Sequence, residues 1–123
     1  MDQSKALAAL QALANAQRLL LVRHLMPAGD HGLPAGQIAQ ALGLSASGLS
    51  FHLAAMTAPG LIRARRAGRQ VFYAVDRAMI GGLLGHLLND CCLGDAQVRD
   101  CCAAHRAFVI PFGPEDAFIP AAE

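Results

Sequence analysis

Four cysteines stand in two adjacent pairs toward the C-terminal end of the chain, Cys91-Cys92 and Cys101-Cys102. Thiolates are soft ligands and good nucleophiles. A cluster of them suits a thiophilic ion, meaning arsenic, antimony, copper(I), zinc or a cadmium-like species, or else reversible oxidation. In a reducing cytosol this crowding points to metal, metalloid or redox chemistry rather than a structural disulfide framework. Trivalent arsenic takes three thiolates in a pyramid, which a neighbouring pair and one cysteine from a folded-back loop can supply. Neighbours on an ideal helix diverge by about 100°, so Cys91 and Cys92 reach one ion only where the helix frays, and Gly94 lies where it would. Tetrahedral zinc could use all four thiolates, but the Cys-x2–4-Cys spacing of structural zinc is missing. No Cys-x-x-Cys follows a strand, so a thiol oxidoreductase, and an enzyme in general, is not expected. The cysteines by themselves leave metalloid, other soft metal and thiol switch open.

The second chemically biased group is cationic. The net charge is only +1, yet no acidic residue lies between Asp30 and Asp76, and Arg63, Arg65, Arg66 and Arg69 fall inside that window with Arg77 just beyond. A one-sign segment in a nearly neutral chain is an electrostatic footprint for a polyanion. A solvated basic face has the same composition, so charge does not decide between them.

The elements that must position these residues follow from periodicity and punctuation. Leu7, Leu10 and Leu13 recur on one face of an Ala-rich helix over about 4–14, and Asn15 can cap a second helix, about 16–26, that stops at Pro27. Gly29 and Gly32 mark a loop. A short helix from Pro34 to Leu42 turns Ile38, Ala39 and Leu42 inward; Gly43 suits its left-handed C-terminal position and Ser45 caps the next helix. In that helix Leu49, Leu53 and Met56 share a face, leaving Ser45, Ala46, Ser47, Gly48, Ser50 and Phe51 outward, a surface small enough to enter a major groove. After Pro59-Gly60, two short strands flank Gly68-Arg69, a two-residue hairpin signal, with Val71, Tyr73 and Val75 alternating. Asp76 caps a further helix to about Leu93, apolar over more than one face through Met79, Ile80, Leu83, Leu84, Leu87 and Leu88. So wide an arc in so small a domain asks for a second subunit, and Gly81, Gly82 and Gly85 would permit close backbone approach.

The pattern thus predicts a mainly α fold with a small β-hairpin. Its segments Leu42-Gly43-Leu44-Ser45-Ala46-Ser47-Gly48-Leu49-Ser50-Phe51-His52-Leu53, Gly60-Leu61-Ile62 and Arg65-Arg66-Ala67-Gly68-Arg69-Gln70-Val71-Phe72-Tyr73 resemble the ArsR family of metal- and metalloid-responsive repressors. Ala12-Leu13-Ala14-Asn15-Ala16-Gln17-Arg18-Leu19 resembles that family's Leu-Ala-x-x-x-Arg-Leu opening. The resemblance spans roughly residues 6–93 in one order. It implies a homodimeric winged helix-turn-helix repressor of double-stranded operator DNA, released by its ligand and dimerised through its terminal helices. Carried over, it puts Leu7 and Leu10 of the first helix and Ile80, Leu84, Leu87 and Leu88 of the fifth in the dimer interface. DNA would meet Ser45, Ala46, Ser47, Ser50, Phe51, Arg63, Arg65, Arg66 and Arg69. Asp90-Cys91-Cys92-Leu93-Gly94 with a further cysteine downstream resembles arsenite-responsive members, implying trivalent arsenic or antimonite as inducer at Cys91, Cys92 and Cys101 or Cys102. Gly48 and Phe51 depart from the polar residues frequent in the recognition helix, and Pro59 precedes the usual Gly-Leu.

The remaining expectations are coarser. A winged-helix domain over 1–93 is followed by a cysteine-containing tail over 94–123, whose Phe108, Phe112 and Phe118 interleave with Pro111, Pro114 and Pro120 and should pack in extended form. No apolar run nears the ~20 residues of a bilayer span, and Met1-Asp2-Gln3-Ser4-Lys5 does not open a secretory signal, so no membrane partner and a cytoplasmic location are expected.

Overall fold

The computed structural model describes residues 1–105, so the expectation for the Phe/Pro tail lies outside the described residues. The chain divides into two compact units, Met1–Leu87 and a second that begins at Leu88.

In the first unit, α1 (Gln3–Leu13), α2 (Ala16–Leu25), α3 (Ala35–Leu42), α4 (Ala46–Thr57) and α5 (Arg77–Gly85) surround a sheet of β1 (Leu33–Pro34), β2 (Ile62–Ala67) and β3 (Gln70–Val75). Local chemistry sets most boundaries. Asn15 accepts a hydrogen bond from the Arg18 amide (3.1 Å), Ser45 Oγ from the Gly48 amide (3.0 Å) and Asp76 from the Met79 amide (3.0 Å), the three caps expected from sequence. Gly43 ends α3 with φ +67°, ψ +34°, the left-handed position a side chain would resist. Asp2 also caps α1, through the Lys5 amide.

The core is formed by Leu21, Leu25, Ile38, Leu49, Met56, Leu61, Ile62 and Val75, joined by Ala6, Ala9, Ala12, Leu53 and Leu83. On α1 it is therefore the alanines that pack inward, while Leu7 and Leu10 face solvent. On α2, Leu19 and Leu20 are likewise exposed. Ile38 is buried as expected, with Ala39 and Leu42 only partly so.

The antiparallel order β1-β3-β2 pairs Ala67 with Gln70 around Gly68-Arg69. Gly68 has φ +65° and Arg69 does not share the left-handed region, the pattern of a type II′ turn. The third strand, β1, was not expected: Pro34 belongs to it and the helix starts one residue later. Its approach depends on Gly32, where φ is +77° and a Cβ would overlap the Tyr73 carbonyl oxygen. No single helix among the described residues is long and apolar enough to cross a membrane.

The fifth helix departs from expectation at its end. Instead of running as an α-helix to about Leu93, it changes after Gly85 to a π-helical turn, His86–Cys91. Leu93 and Gly94 then follow with φ +56° and +68°, and Asp95 caps α6 (Ala96–His105) by accepting from the Val98 amide at 3.0 Å. This last helix was not anticipated.

Candidate nucleic-acid interface and thiol cluster

Helices α3 and α4 join through the tight Gly43-Leu44 turn, and α4 lays Leu49, Leu53 and Met56 against the core. The opposite face carries Ser45, Ala46, Ser47, Ser50, Phe51 and Ala54, all exposed. The expected residues thus share one surface, with Ala54 added to them and Gly48, expected outward as well, half-buried. Beside it, α4 and the hairpin bound an open groove lined by Ser50, Ala54, Thr57, Arg63, Ala64 and Tyr73.

The four arginines of the hairpin are not equivalent. Arg63 lies between the two acids that close the acid-free window, its guanidinium 3.7 Å from Asp30 and 3.6 Å from Asp76; Asp30 also meets Arg77 at 3.1 Å. Arg65 donates to the His31 carbonyl oxygen at 2.9 Å and stacks on the Phe72 ring, 4.8 Å from its centroid. Arg63 and Arg65 point to one face of β2 because side chains alternate along a strand. Arg66, on the other face, and Arg69, in the turn, have no ion-pair or hydrogen-bond partner among the described residues. The structure thus engages two expected phosphate contacts internally and leaves two presented to solvent. Alternation along β2 separates Arg63 and Arg65 from Arg66, but their partners are remote in sequence, Asp30 and His31 ahead of β1 and Asp76 directly after β3.

Sequence reasoning also missed a cluster along the flank of α4. Arg18 Nε donates to His52 Nδ1 at 3.1 Å, Arg18 also donates to the Ala12 carbonyl oxygen at 3.4 Å, and its guanidinium lies 5.6 Å from the Phe51 centroid. Because His52 accepts at Nδ1, its ring proton sits on Nε2. This cluster ties α1 and α2 to α4. Its signal in the sequence is Arg18 directly ahead of the apolar run 19–22 of α2.

None of the expected interface residues is fully buried. Leu7, Leu10 and Leu84 are exposed large apolar side chains, and Ile80, Leu87 and Leu88 are half-buried. Met1, just ahead of α1, reaches α5 and the residue after it, its side chain against Gly82 and its carbonyl oxygen 3.0 Å from His86 Nδ1.

In the second unit Cys91 ends the π turn and is exposed, Cys92 is half-buried in the following bend, and Cys101 and Cys102 are exposed on α6. All four are free thiols. Among the described residues no three His, Cys, Asp or Glu side chains are grouped to hold a metal ion. The helix end does break beside the first pair, as a shared ligand would require. The third thiolate is not brought to it.

No family model matches the chain. It is 34% identical over 88 residues to the HTH-type transcriptional regulator YgaV of Escherichia coli, covering 72% of this chain and 87% of that one. It is 32% identical over 83 residues to the transcriptional activator HlyU of Vibrio cholerae, covering 68% and 74%. Among solved structures, an ArsR-like transcriptional regulator from Rhodococcus sp. RHA1 shares the fold with a TM-score of 0.64 at 22% identity, over 85% of this chain and 92% of that one. So does the homodimeric winged helix-turn-helix DNA-binding domain Mb0332 of Mycobacterium bovis, a possible ArsR-family regulator, with a TM-score of 0.55 at 24% identity over 71% and 84%. The fold is a winged helix-turn-helix. The chain belongs to the helix-turn-helix transcriptional regulators, and the winged fold it adopts is the one seen in the ArsR-like regulator.

Proposed function

We propose that this protein is a homodimeric repressor that holds double-stranded operator DNA through α4 and the wing, and releases it when its C-terminal thiols capture trivalent arsenic or antimony. The observation that carries the reading is that all four cysteines are free thiols and all belong to the unit that begins at Leu88. Capture is an exchange without redox change: three thiols and As(OH)3 give a tris-thiolate and three waters. Because no three such ligands are grouped among the described residues, capture has to close the Leu93-Gly94 turn or recruit a thiol from a second subunit. The left-handed Leu93 supports the first route, since a non-glycine residue there stores of order 1–3 kcal/mol that rearrangement can release.

Homodimerisation is supported by the solvent-facing leucines of α1 and α5 and by the assembly of the Mycobacterium bovis domain. A second reading, thiol oxidation, is favoured by one specific observation: a disulfide needs only two sulfurs, and three of the four thiols are exposed. Two thiols and a hydroperoxide would give the disulfide, an alcohol or water, and water. A gel-shift on DNA upstream of the protein's own gene, titrated with arsenite, antimonite, zinc, cadmium and hydrogen peroxide, separates them. Release by arsenite and antimonite at lower concentration than by the others is expected. Release by peroxide alone would replace the metalloid reading, and a reporter that falls when the gene is deleted would reverse the sign from repressor to activator.

A further inference from the structure

We propose that Phe51 is a specificity-determining residue that reads the 5-methyl group of a thymine in the major groove, with Arg18 as its positioning residue. The inference rests on the reading that α4 enters that groove. Phe51 is the most exposed large apolar residue of the first unit, at 66%. At about 100° per residue it falls nearly opposite the mean direction of the buried Leu49, Leu53 and Met56. Its neighbours on that face, Ser47, Ser50 and Ala54, are all small, so the ring is the most protruding feature of the face.

Chemistry narrows what such a ring can recognise. A phenyl group neither donates nor accepts a hydrogen bond, so it cannot read the polar edges of guanine, adenine or cytosine. The thymine methyl is the apolar mark in the major groove, and it distinguishes A·T from every other pair including its own reverse. The ring is also held before DNA arrives. Arg18 lies 5.6 Å from its centroid and is itself fixed by hydrogen bonds to His52 Nδ1 and the Ala12 carbonyl oxygen; His52 packs edge-on to Phe51 at 5.6 Å. Little rotamer freedom is then lost on binding. An exposed phenylalanine kept for solvent alone would gain nothing from this support.

The test is a selection from randomised duplex DNA by the full-length protein and its Phe51→Ala and Phe51→Leu variants, followed by anisotropy titrations of the wild-type winner with thymine or deoxyuridine at the enriched position. Wild type should enrich one thymine at a fixed place in each half-site, Phe51→Ala should lose that preference and keep the others, and Phe51→Leu should retain part of it. Deoxyuridine should weaken wild type about fourfold per half-site and roughly fifteenfold across two, the size of one buried methyl group, and leave Phe51→Ala unchanged. Equal affinity of wild type for thymine and deoxyuridine, or the same enriched thymine in Phe51→Ala, would overturn the proposal. A Phe51→Ala protein that shifts from dimer to another assembly while its base preferences stand would assign the ring to a protein contact instead. Enrichment of no sequence by any of the three would reject the α4 reading itself.

Discussion

Cys91 and Cys92 are neighbours in sequence but not in environment, one exposed at the end of a π turn and the other half-buried in a bend. In the proposed sensor both are ligands, so Cys91→Ser or Cys92→Ser should each abolish arsenite-induced release while leaving operator affinity within about twofold, since α4 and the wing belong to the other unit. Cys101 and Cys102 sit on regular helix and diverge by about 100°. Their single Ser variants should therefore differ from each other or each be partly tolerated. Operator anisotropy titrated with arsenite measures all four, and full release of a Cys91→Ser/Cys92→Ser double variant would remove the thiols from the mechanism. At this scale the sequence was readable where the chemistry is local: Asn15, Ser45 and Asp76 act as caps because the amide each satisfies is three residues away. It was unreadable where partners meet across the fold. Nothing in the spacing of Arg63 announces Asp30 and Asp76, and nothing near Phe51 announces Arg18.

The wing shows how an element sorts residues of one type. Surface ion pairs add little stability, so those of Arg63 mainly use up its charge locally. Arg66 and Arg69 should carry the phosphate contacts. Replacing both with Ala should weaken operator binding and lower the slope of log K against log salt by about 3–4 in a dimer, at about 0.9 per contact. Arg63→Ala/Arg65→Ala should change the slope less and loosen the hairpin instead. Equal slopes for the two double variants would contradict this division. The hairpin itself was legible from Gly68-Arg69 between alternating residues. The two-residue β1 was not, being too short for any alternation, and α6 was not, because its side chains from Ala96 to Ala104 are all exposed and so form no apolar stripe. On α1 the leucine periodicity marked a helix correctly, yet the face packed inside the subunit is alanine. The end of α5 was misjudged because apolar spacing cannot distinguish an α turn from the wider π turn that follows Gly85.

As a whole molecule the protein is proposed to join reader and sensor through its dimer helices. Leu84 is 52% exposed on α5, and Leu84→Glu would place a carboxylate in an apolar interface on both sides, so sedimentation should show monomer or aggregate and operator binding should disappear. A native dimer in that variant would move the interface elsewhere. The central claim is that occupancy of the thiols and grip on DNA are alternatives, and linkage makes it quantitative: arsenite must bind the free dimer more tightly than the operator-bound dimer by the factor it takes from operator affinity. The most direct measurement is a calorimetric titration of arsenite into the protein with and without saturating operator, compared with operator affinity with and without arsenite. One shared ratio well above one is expected, lost in Cys91→Ser/Cys92→Ser; equal arsenite affinity with and without operator would show that thiol occupancy and DNA binding are not linked.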